Sequence, residues 1–281
     1  MSASTLTAIM ENNRQAGRLT RIPFLPAAFP GAGEFWTILR ELAQNGADII
    51  EIGVPFSDPV ADGPQVAEAS RLALANGGGL DYIFEGLARY RVELPPGLVL
   101  MGYVNPFIQH GWAAASRNIA GGEARAVMAA SLALLAEKLS QAGVSGLIVP
   151  DLPLDESGPW LAALKPRGLD LIALVGPNTS LEKMKAYAAG GVGGYVYVVS
   201  VLGVTGVRDG LPPEVADTLK RARQAFDLPL ALGFGLSSPG QLRNLPSSVR
   251  PEGAVFGSAL IRSLAAGGTV RDFMAPWLSP A

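Results

Sequence analysis

The chain has 281 residues, of which 49% are hydrophobic and 16% are charged, against about 25% charged in an average soluble domain. The 22 basic and 24 acidic residues leave a formal net charge of −2, which provides no electrostatic footprint for nucleic acid or an anionic membrane. Cysteine is absent, which excludes disulfides and thiolate chemistry. His110 is the single histidine, which disfavours Ser-His-Asp hydrolysis and multi-histidine metal sites.

Apolar, β-rich runs alternate with helix-like patterns along the chain. A helix is predicted over Thr5 to Gln15, followed by eight strand-and-helix units in about 250 residues, the size of a (β/α)₈ TIM barrel. Such alternation predicts a parallel sheet. A doubly wound sheet is the weaker alternative, because no G-x-G-x-x-G turn follows the first strand. The eight predicted strands begin near Ile22, Asp48, Leu98, Gly146, Asp170, Gly194, Pro229 and Gly253.

Two longer connections flank the third predicted strand. An additional helix is predicted over Leu80 to Val92 before it. After it, a patternless stretch from His110 to Ala124, with His110 as a surface or loop histidine, leads into a helix near Arg125 to Ala142. Long connections at the C-terminal face of a barrel usually carry function. No linker divides the chain, so we expect a single barrel domain over residues 1–281.

No segment of the sequence carries an export or membrane signature. Residues Met1 to Arg18 mix acids and bases among apolar residues, which is typical of neither a signal peptide nor an anchor. No apolar run approaches the ~18 residues of a membrane span. We therefore expect a cytoplasmic protein. Its five lysines fall on or beside predicted helices, whereas a Schiff-base lysine must lie at a strand end inside a pocket.

A glutamate interrupts the second predicted strand, which reads Ala-Asp-Ile-Ile-Glu-Ile-Gly over residues 47–53. Strand alternation puts Glu51 on the opposite face from Ile50 and Ile52, so Glu51 is expected to point into the barrel near its rim. The neighbouring strands offer no Lys or Arg, and a desolvated carboxylate without a cation has a raised pKa. Such an acid suits acid–base catalysis near neutral pH. A structural glutamate bonded to a hydroxyl or a loop amide explains the strand pattern equally well.

The connection after this strand sets two acids into an otherwise uncharged segment, Val-Pro-Phe-Ser-Asp-Pro-Val-Ala-Asp-Gly-Pro over residues 54–64. Asp62 follows Glu51 by 11 residues, so a returning loop could bring it over the same cavity. Aspartate also favours turns and helix N-caps. Turn formation is a serious alternative for Asp58, and for Asp62 both capping and catalysis remain open.

Glycine turns close the last three predicted strands. They are Gly203-Val204-Thr205-Gly206, Gly233-Phe234-Gly235 and Gly257-Ser258. Their backbone amides, together with a helix N-terminus near Ser258, form a candidate phosphate cradle that requires no lysine or arginine. Glycines that merely permit tight turns are the alternative explanation.

Tyrosines near the same strand ends are candidate ligand contacts. Tyr103 and Asn105, at the end of the third strand, could hydrogen-bond a ligand, and rim packing explains them as well. Tyr195 and Tyr197 share one face of the sixth strand. If that face is inward, Tyr197 is placed to deliver a hydroxyl to Glu51; an outward tyrosine is the competing interpretation.

Residues 47–64 closely resemble the signature of the tryptophan synthase alpha chain family. Segments 147–153, 203–206, 233–235 and 257–258 also resemble family segments, in the family's order and across nearly the whole chain. The first segment is highly specific, whereas glycine turns occur in other phosphate-binding barrels. The resemblance implies a lyase of tryptophan biosynthesis that cleaves indole-3-glycerol phosphate to indole and glyceraldehyde 3-phosphate, with no metal or cofactor of its own.

The resemblance also implies roles for individual residues. Glu51 would be the acid/base catalyst, Asp62 would stabilise charge at the indole nitrogen, and Tyr197 would lie beside Glu51. The substrate-binding set implied in this way is Tyr103, Tyr197, Thr205 and Phe234, and the phosphate-binding set is Gly206, Gly235, Gly257 and Ser258.

The resemblance further implies a partner. In this family a beta chain that holds pyridoxal phosphate takes up the indole, so an α2β2 heterotetramer with contacts around Pro55 and Asp58 is expected. Two alternatives stay open: a stand-alone lyase that releases indole, and a weakly catalytic regulatory partner of a beta chain. A sugar-phosphate epimerase is disfavoured, because such a barrel normally needs a histidine-rich metal site.

Three features depart from the family pattern. Phe29 stands where the turn after the first strand usually has an acid, and Leu202 stands where a small hydroxyl residue is common. The region from Trp112 to Gln141 is longer than the family's usual connection, which leaves its effect on beta-chain docking open.

Overall fold

Nine strands, each parallel to its neighbours, form one sheet in the part of the chain that the computed structural model describes, residues 4–118, 123–200, 211–233 and 235–278. The strands are β1 (Thr20–Pro26), β2 (Ile49–Gly53), β3 (Gly97–Met101), β4 (Gly146–Ile148), β5 (Asp170–Leu171), β6 (Ala173–Val175), β7 (Val196–Val199), β8 (Leu230–Gly233) and β9 (Gly253–Phe256). Their order is β5-β4-β3-β2-β1-β9-β8-β7-β6. Neighbours in the sheet are therefore consecutive in the chain except at β1 and β9, as in a TIM barrel.

The fifth predicted strand is divided in two, which accounts for nine strands where eight were predicted. Only Ile172 separates β5 from β6. The first half pairs with β4 and the second half pairs with β7. The backbone N–H of Ile172 still donates to Leu147 O at 2.9 Å, so the change of partner comes directly after it. Because both ends of the sheet belong to one short stretch of chain, the sheet closes into the predicted barrel.

Helices follow the strands and cover the barrel. Short 3₁₀ turns supplement them at Arg91–Glu93, Leu154–Glu156, Lys165–Arg167 and Ser247–Val249. The α-helices are α1 (Thr5–Gln15), α2 (Ala32–Gln44), α3 (Pro64–Ala75), α4 (Leu80–Tyr90), α5 (Val104–Asn118), α6 (Ala124–Gln141), α7 (Gly158–Leu164), α8 (Leu181–Gly190), α9 (Pro213–Ala225), α10 (Gly240–Arg243), α11 (Ser258–Ala265) and α12 (Val270–Leu278). No helix in the described ranges is both long and apolar enough to cross a membrane.

Helix α1 closes the amino-terminal end of the barrel and has the bounds predicted for it. Ser4 caps the helix by accepting a hydrogen bond from Thr7 N at 3.3 Å. The hydroxyl of Thr7 then donates to Gly194 O at 2.7 Å, just before β7. Leu6 and Met10 are fully buried on the inner face of the helix, so apolar burial and one side-chain hydrogen bond fix it under the sheet.

The prediction of a patternless stretch from His110 to Ala124 is wrong for its first part, because helix α5 continues to Asn118. Its inner positions are Phe107, Gly111 and Ala115, spaced four residues apart. A Cβ on Gly111 would lie 2.7 Å from Ser131 Oγ and 2.8 Å from Ser131 O in α6. Small residues at this spacing allow the two helices to pack closely, and they hide the apolar periodicity that normally identifies a helix.

The single histidine belongs to this helix pair rather than to a surface loop, which corrects its predicted position. The side chain of His110 is 10% exposed. Its Nε2 lies 3.1 Å from Lys138 Nζ in α6. Burial and the Lys138 ammonium lower the pKa of His110, against an opposing effect of Asp81. His110 therefore packs at the α4–α5–α6 junction, apart from the strand ends.

Phe29, which stands in place of the family's usual acid, is an apolar core residue in this chain. It is 3% exposed and belongs to the same buried cluster as Leu25 and Phe35. A carboxylate at this position would be desolvated, at a large cost unless paired. The substitution therefore suits a turn that packs inward.

The close packing of α4 against α2 can be tested by measuring the stability of a variant. A Cβ on Gly86 would come within 1.8 Å of Trp36 Cζ2. Gly86→Ala must displace the indole ring, so we expect the free energy of unfolding to fall by about 1–3 kcal/mol, measured by urea denaturation.

The matched control is Gly33→Ala in α2, where an added Cβ would meet nothing within 4 Å. Alanine is the better helix former by about 0.5–1 kcal/mol, so this variant should be at least as stable as the wild type. Equal stability of the two alanine variants would contradict the described packing.

Candidate active site

A cavity opens at the carboxyl ends of the barrel strands, where TIM-barrel enzymes place their active sites. It encloses about 340 Å³ of empty space, part of it open to solvent. Its described walls are mainly apolar, and their polar side chains are those of an aspartate, a tyrosine and a serine. The lining residues are Phe24, Asp62, Val66, Met101, Tyr197, Val255, Gly257 and Ser258.

Glu51 points into the barrel, as the strand alternation predicts. It is fully buried and lies in register with Phe24 on β1 and Val99 on β3. The hydroxyl of Tyr195, immediately before β7, donates to Glu51 Oε1 at 2.5 Å. Strands β2 and β7 stand four places apart in the sheet order, on opposite sides of the barrel. A hydrogen bond between them must therefore cross the interior.

Burial dominates the electrostatics of Glu51. Desolvation raises the pKa of Glu51 to about 8, and the hydrogen bond from Tyr195 opposes that rise. Among the described residues, Glu51 has no ion-pair partner, and its Oε2 atom has no hydrogen-bond partner. The carboxyl consequently keeps its proton near neutral pH. It does not line the cavity in this structure.

The hydroxyl expected from Tyr197 comes instead from Tyr195. Alternation puts both tyrosines on one face, and in the structure that face is inward; Tyr197 lies two residues nearer the rim and lines the cavity. A Cβ on Gly233 would be 2.2 Å from the Tyr197 hydroxyl, so the absence of a side chain at Gly233 makes room for the Tyr197 ring. The sequence predicts that the two tyrosines share a face, but neither that this face is inward nor which tyrosine is level with Glu51.

Asp62 lies in the cavity wall, and the structure decides against a capping role. Helix α3 begins at Pro64 with Gly63 as its N-cap, and no side chain caps it. Burial raises the pKa of Asp62 to about 6, and a hydrogen bond with the Tyr103 hydroxyl opposes the rise. That hydroxyl also accepts a hydrogen bond from Ala61 N at 3.0 Å.

The proposed phosphate cradle is described only in part. Helix α11 begins at Ser258 with Gly257 as its N-cap, and both residues line the cavity. Gly235 follows the adjacent strand β8 and has φ +85°, a left-handed conformation that favours glycine. The amides of Gly235 and of the α11 N-terminus thus follow neighbouring strand ends. Thr205, Gly206 and Phe234, together with Leu202, lie outside the described residues.

Sequence reasoning missed the apolar wall, of which Phe24 is the clearest part. A Cβ on Gly53 or on Gly257 would lie 2.7 Å from the Phe24 ring. Glycines at the ends of β2 and β9 therefore leave space for a large side chain from β1 between them. This signal is present in the sequence, but it can be used only once the order and register of the strands are known.

The predicted partner-contact residues lie in the loop after β2. Pro55 is buried, whereas Asp58 is exposed and accepts a hydrogen bond from Ser57 Oγ at 2.6 Å. Val60 is 85% exposed in the same loop. Their role in partner contact stays a prediction. Within the described ranges, no group of three or more His, Asp or Glu side chains is arranged to hold a metal ion.

Comparison with known proteins gives a consistent result. The family model for the tryptophan synthase alpha chain matches residues 10–273. The chain is 55% identical over 262 residues to the tryptophan synthase alpha chain of Desulfovibrio desulfuricans, covering 93% of this chain and 94% of that one. It is 54% identical to that of Nitratidesulfovibrio vulgaris, with 99% of both covered. A Mycobacterium tuberculosis tryptophan synthase structure aligns with a TM-score of 0.81 at 31% identity, covering 98% of this chain and 96% of that chain.

Because the Glu51 carboxyl is buried, its removal should stabilise the folded protein, and the gain should be larger at high pH than at low pH. Folding raises the pKa of Glu51 from 4.5 to about 8, so the folded state binds this proton more tightly. Ionisation of Glu51 therefore destabilises the folded state. This effect is absent below pH 4.5 and grows as the pH rises toward about 8. Glu51→Gln should therefore raise the free energy of unfolding by on the order of 1–3 kcal/mol near pH 9, and by much less near pH 5, in urea denaturation.

Glu85→Gln on α4 is the control, because Glu85 is exposed. It should show no comparable gain at either pH. A Glu51→Gln protein that is no more stable than the wild type at high pH would contradict the unpaired burial of this carboxyl.

Proposed function

The chain belongs to the tryptophan synthase alpha chain family, and we propose that it cleaves indole-3-glycerol phosphate with Glu51 and Asp62 as its catalytic acids. The products are indole and glyceraldehyde 3-phosphate, and an alpha chain of this family needs no cofactor of its own. The observation that carries the assignment is the pair of carboxyls in one barrel, each with a pKa raised by burial. Raised pKa values of this kind are typical of catalytic acids.

The reaction needs an electron sink, and the substrate itself supplies one. The described cavity wall contains no lysine that could form a Schiff base. Protonation of the indole ring at C3 gives an indoleninium cation, which accepts the electron pair of the bond from C3 to the glycerol chain as that bond breaks. The hydroxyl on the departing carbon loses its proton and becomes the aldehyde, so the electrons and protons balance within one substrate.

Glu51 is suited to both proton transfers. With a pKa of about 8 it holds a proton at neutral pH and can donate it to C3. The carboxylate left behind can then accept the proton of the glycerol hydroxyl, which restores the acid. The Glu51 carboxyl is hydrogen-bonded to Tyr195 and does not line the cavity. To reach the bound substrate, the Glu51 side chain must therefore release Tyr195 and turn toward the cavity.

Asp62 is suited to stabilise the cation. Its pKa of about 6 makes it predominantly an anion at neutral pH. A carboxylate facing the ring N–H would stabilise the positive charge that develops at the nitrogen, and this effect is strong where water is excluded. The environments of the two acids thus favour different protonation states, which matches a division into proton donor and charge stabiliser.

The glycine turns are proposed to hold the phosphate. The N-terminus of α11 and the left-handed turn at Gly235 follow neighbouring strands, and free backbone amides at such positions bind anions. Fixing the phosphate orients the indole relative to both acids, which is the entropic part of the rate gain. From the family resemblance alone, we assign Gly206 to this phosphate cradle and Thr205 and Phe234 to substrate binding.

A beta chain is the expected partner. Alpha chains of this family act with beta chains in tetramers, and pyridoxal phosphate belongs to the beta chain. We assign the contact to the loop after β2, where Asp58 and the apolar Val60 are exposed. We also propose that the protein is cytoplasmic, because its family acts in amino-acid biosynthesis.

The catalytic assignment of Glu51 predicts a large loss of turnover. Glu51→Gln keeps the shape of the side chain but removes both proton transfers, so kcat for indole formation should fall about 10²–10⁴-fold. Binding of glyceraldehyde 3-phosphate, followed by titration calorimetry, should persist because the phosphate cradle is untouched. Glu85→Gln should turn over normally. Near-normal turnover by Glu51→Gln would remove Glu51 from the mechanism.

The partner assignment predicts activation by a beta chain. Indole formation should rise when purified protein is titrated with a beta chain, and Asp58→Ala should raise the concentration needed by about 3- to 10-fold. Glu182→Ala on α8, an exposed acid outside the loop, is the control. High activity that does not change on titration would instead favour a stand-alone lyase, and negligible cleavage alongside activation of the beta chain would favour a regulatory partner.

A further inference from the structure

Tyr103 joins two consecutive residues of the loop after β2. It lies between β3 and α5 and is 4% exposed. Its hydroxyl accepts a hydrogen bond from Ala61 N at 3.0 Å, and its interaction with the carboxyl of Asp62 lowers the pKa of that acid against the effect of burial. One hydroxyl therefore contacts both the backbone and the side chain of the segment that carries an acid of the cavity wall.

The position of Tyr103 is itself fixed from several sides. The next residue, Val104, begins α5 and donates its backbone N–H to Asp151 Oδ1 at 2.9 Å, in the loop after β4. The ring of Phe56 lies 5.2 Å from the Tyr103 ring, centroid to centroid. A Cβ on the preceding Gly102 would lie 2.9 Å from Val54 Cβ, so this turn packs directly on the chain leaving β2. Segments after β2, β3 and β4 thus meet around Tyr103.

We propose that Tyr103 is a positioning residue that holds the loop after β2 so that the Asp62 carboxyl faces the cavity. A phenol has one hydrogen to donate, and we assign it to the Asp62 carboxyl, whose pKa Tyr103 lowers. Tyr103 is also not among the residues that line the cavity. This assignment replaces the expected role of Tyr103 in substrate binding, and it rests on the proposed function in so far as Asp62 stabilises the indole cation.

The hydrogen bond also influences the charge state of Asp62. The described titratable groups around it are Tyr103 just before α5, Tyr197 across the cavity on β7, and Asp151, which acts on Tyr103 from the loop after β4. Glu51 lies deeper in the barrel. None of the described cations forms an ion pair with Asp62. Donation from Tyr103 favours the anion against the effect of burial, so its loss should raise the pKa of Asp62.

Tyr103→Phe tests the assignment by kinetics, because it keeps the ring and removes only the hydroxyl. We expect kcat for indole formation to fall roughly 10- to 100-fold while KM changes less than about threefold, since the phosphate cradle is intact. The acidic limb of the pH–kcat profile should move up by roughly half a unit to one unit. A raised KM with an unchanged kcat and pH profile would overturn the proposal and favour direct substrate contact.

Tyr82→Phe is the matched control. The Tyr82 hydroxyl donates to Ala32 O at 2.6 Å, between α4 and α2 and away from the cavity. This variant also loses one partly buried tyrosine hydrogen bond, so it reports any general effect on folding. It should leave kcat, KM and the pH profile unchanged.

A direct titration separates this inference from the proposed function. The carboxyl resonance of Asp62 can be followed by ¹³C NMR in ligand-free protein with labelled aspartate, assigned by its loss in Asp62→Asn. We expect a midpoint near 6 in the wild type and a higher midpoint in Tyr103→Phe. A higher midpoint with normal turnover by Asp62→Asn would support the positioning by Tyr103 and remove Asp62 from the mechanism. An unchanged midpoint would overturn the positioning role, whatever the kinetics of Asp62→Asn.

Discussion

The hydrogen bond from Tyr195 to Glu51 crosses a barrel interior whose described residues give the carboxyl no cation. Within the described residues, this bond is the one interaction that opposes the cost of burying Glu51, and its acceptor oxygen lies on the opposite side of the barrel from its donor. A carboxyl in this setting is held as an acid at neutral pH rather than as an anion. The site therefore depends on an unfavourable burial that the surrounding apolar strands impose, a pattern common where function and stability conflict.

The two acids acquire different properties from different surroundings. Glu51 is enclosed between β1 and β3, and burial raises its pKa to about 8. Asp62 lies on a loop at the cavity wall, where the Tyr103 hydroxyl opposes the effect of burial and the pKa is about 6. At neutral pH one group can give a proton while the other carries charge. The fold achieves this division by distributing the acids between a strand and the loop that follows it.

The sequence carries enough periodic information to predict the barrel, helix α1 and the inward orientation of Glu51, because each depends on local spacing. Other features depend on how separate segments meet. Alternation assigns Tyr195 and Tyr197 to one face, but only the assembled barrel shows that Tyr195 is level with Glu51. The small residues of α5 conceal a helix until α6 packs against Gly111. Whether Asp62 caps α3 is decided by the turn at Gly63, which the composition of the loop does not determine.

The proposed role of Glu51 as proton donor depends most directly on its protonation state in the ligand-free protein. This state can be measured by infrared difference spectroscopy between the wild type and Glu51→Gln, following the carbonyl stretch of a protonated carboxylic acid as the pH is raised. We expect this band to persist through neutral pH and to disappear with a midpoint near 8. A band already lost at about pH 5, as for an ordinary glutamate, would contradict the buried, cation-free acid.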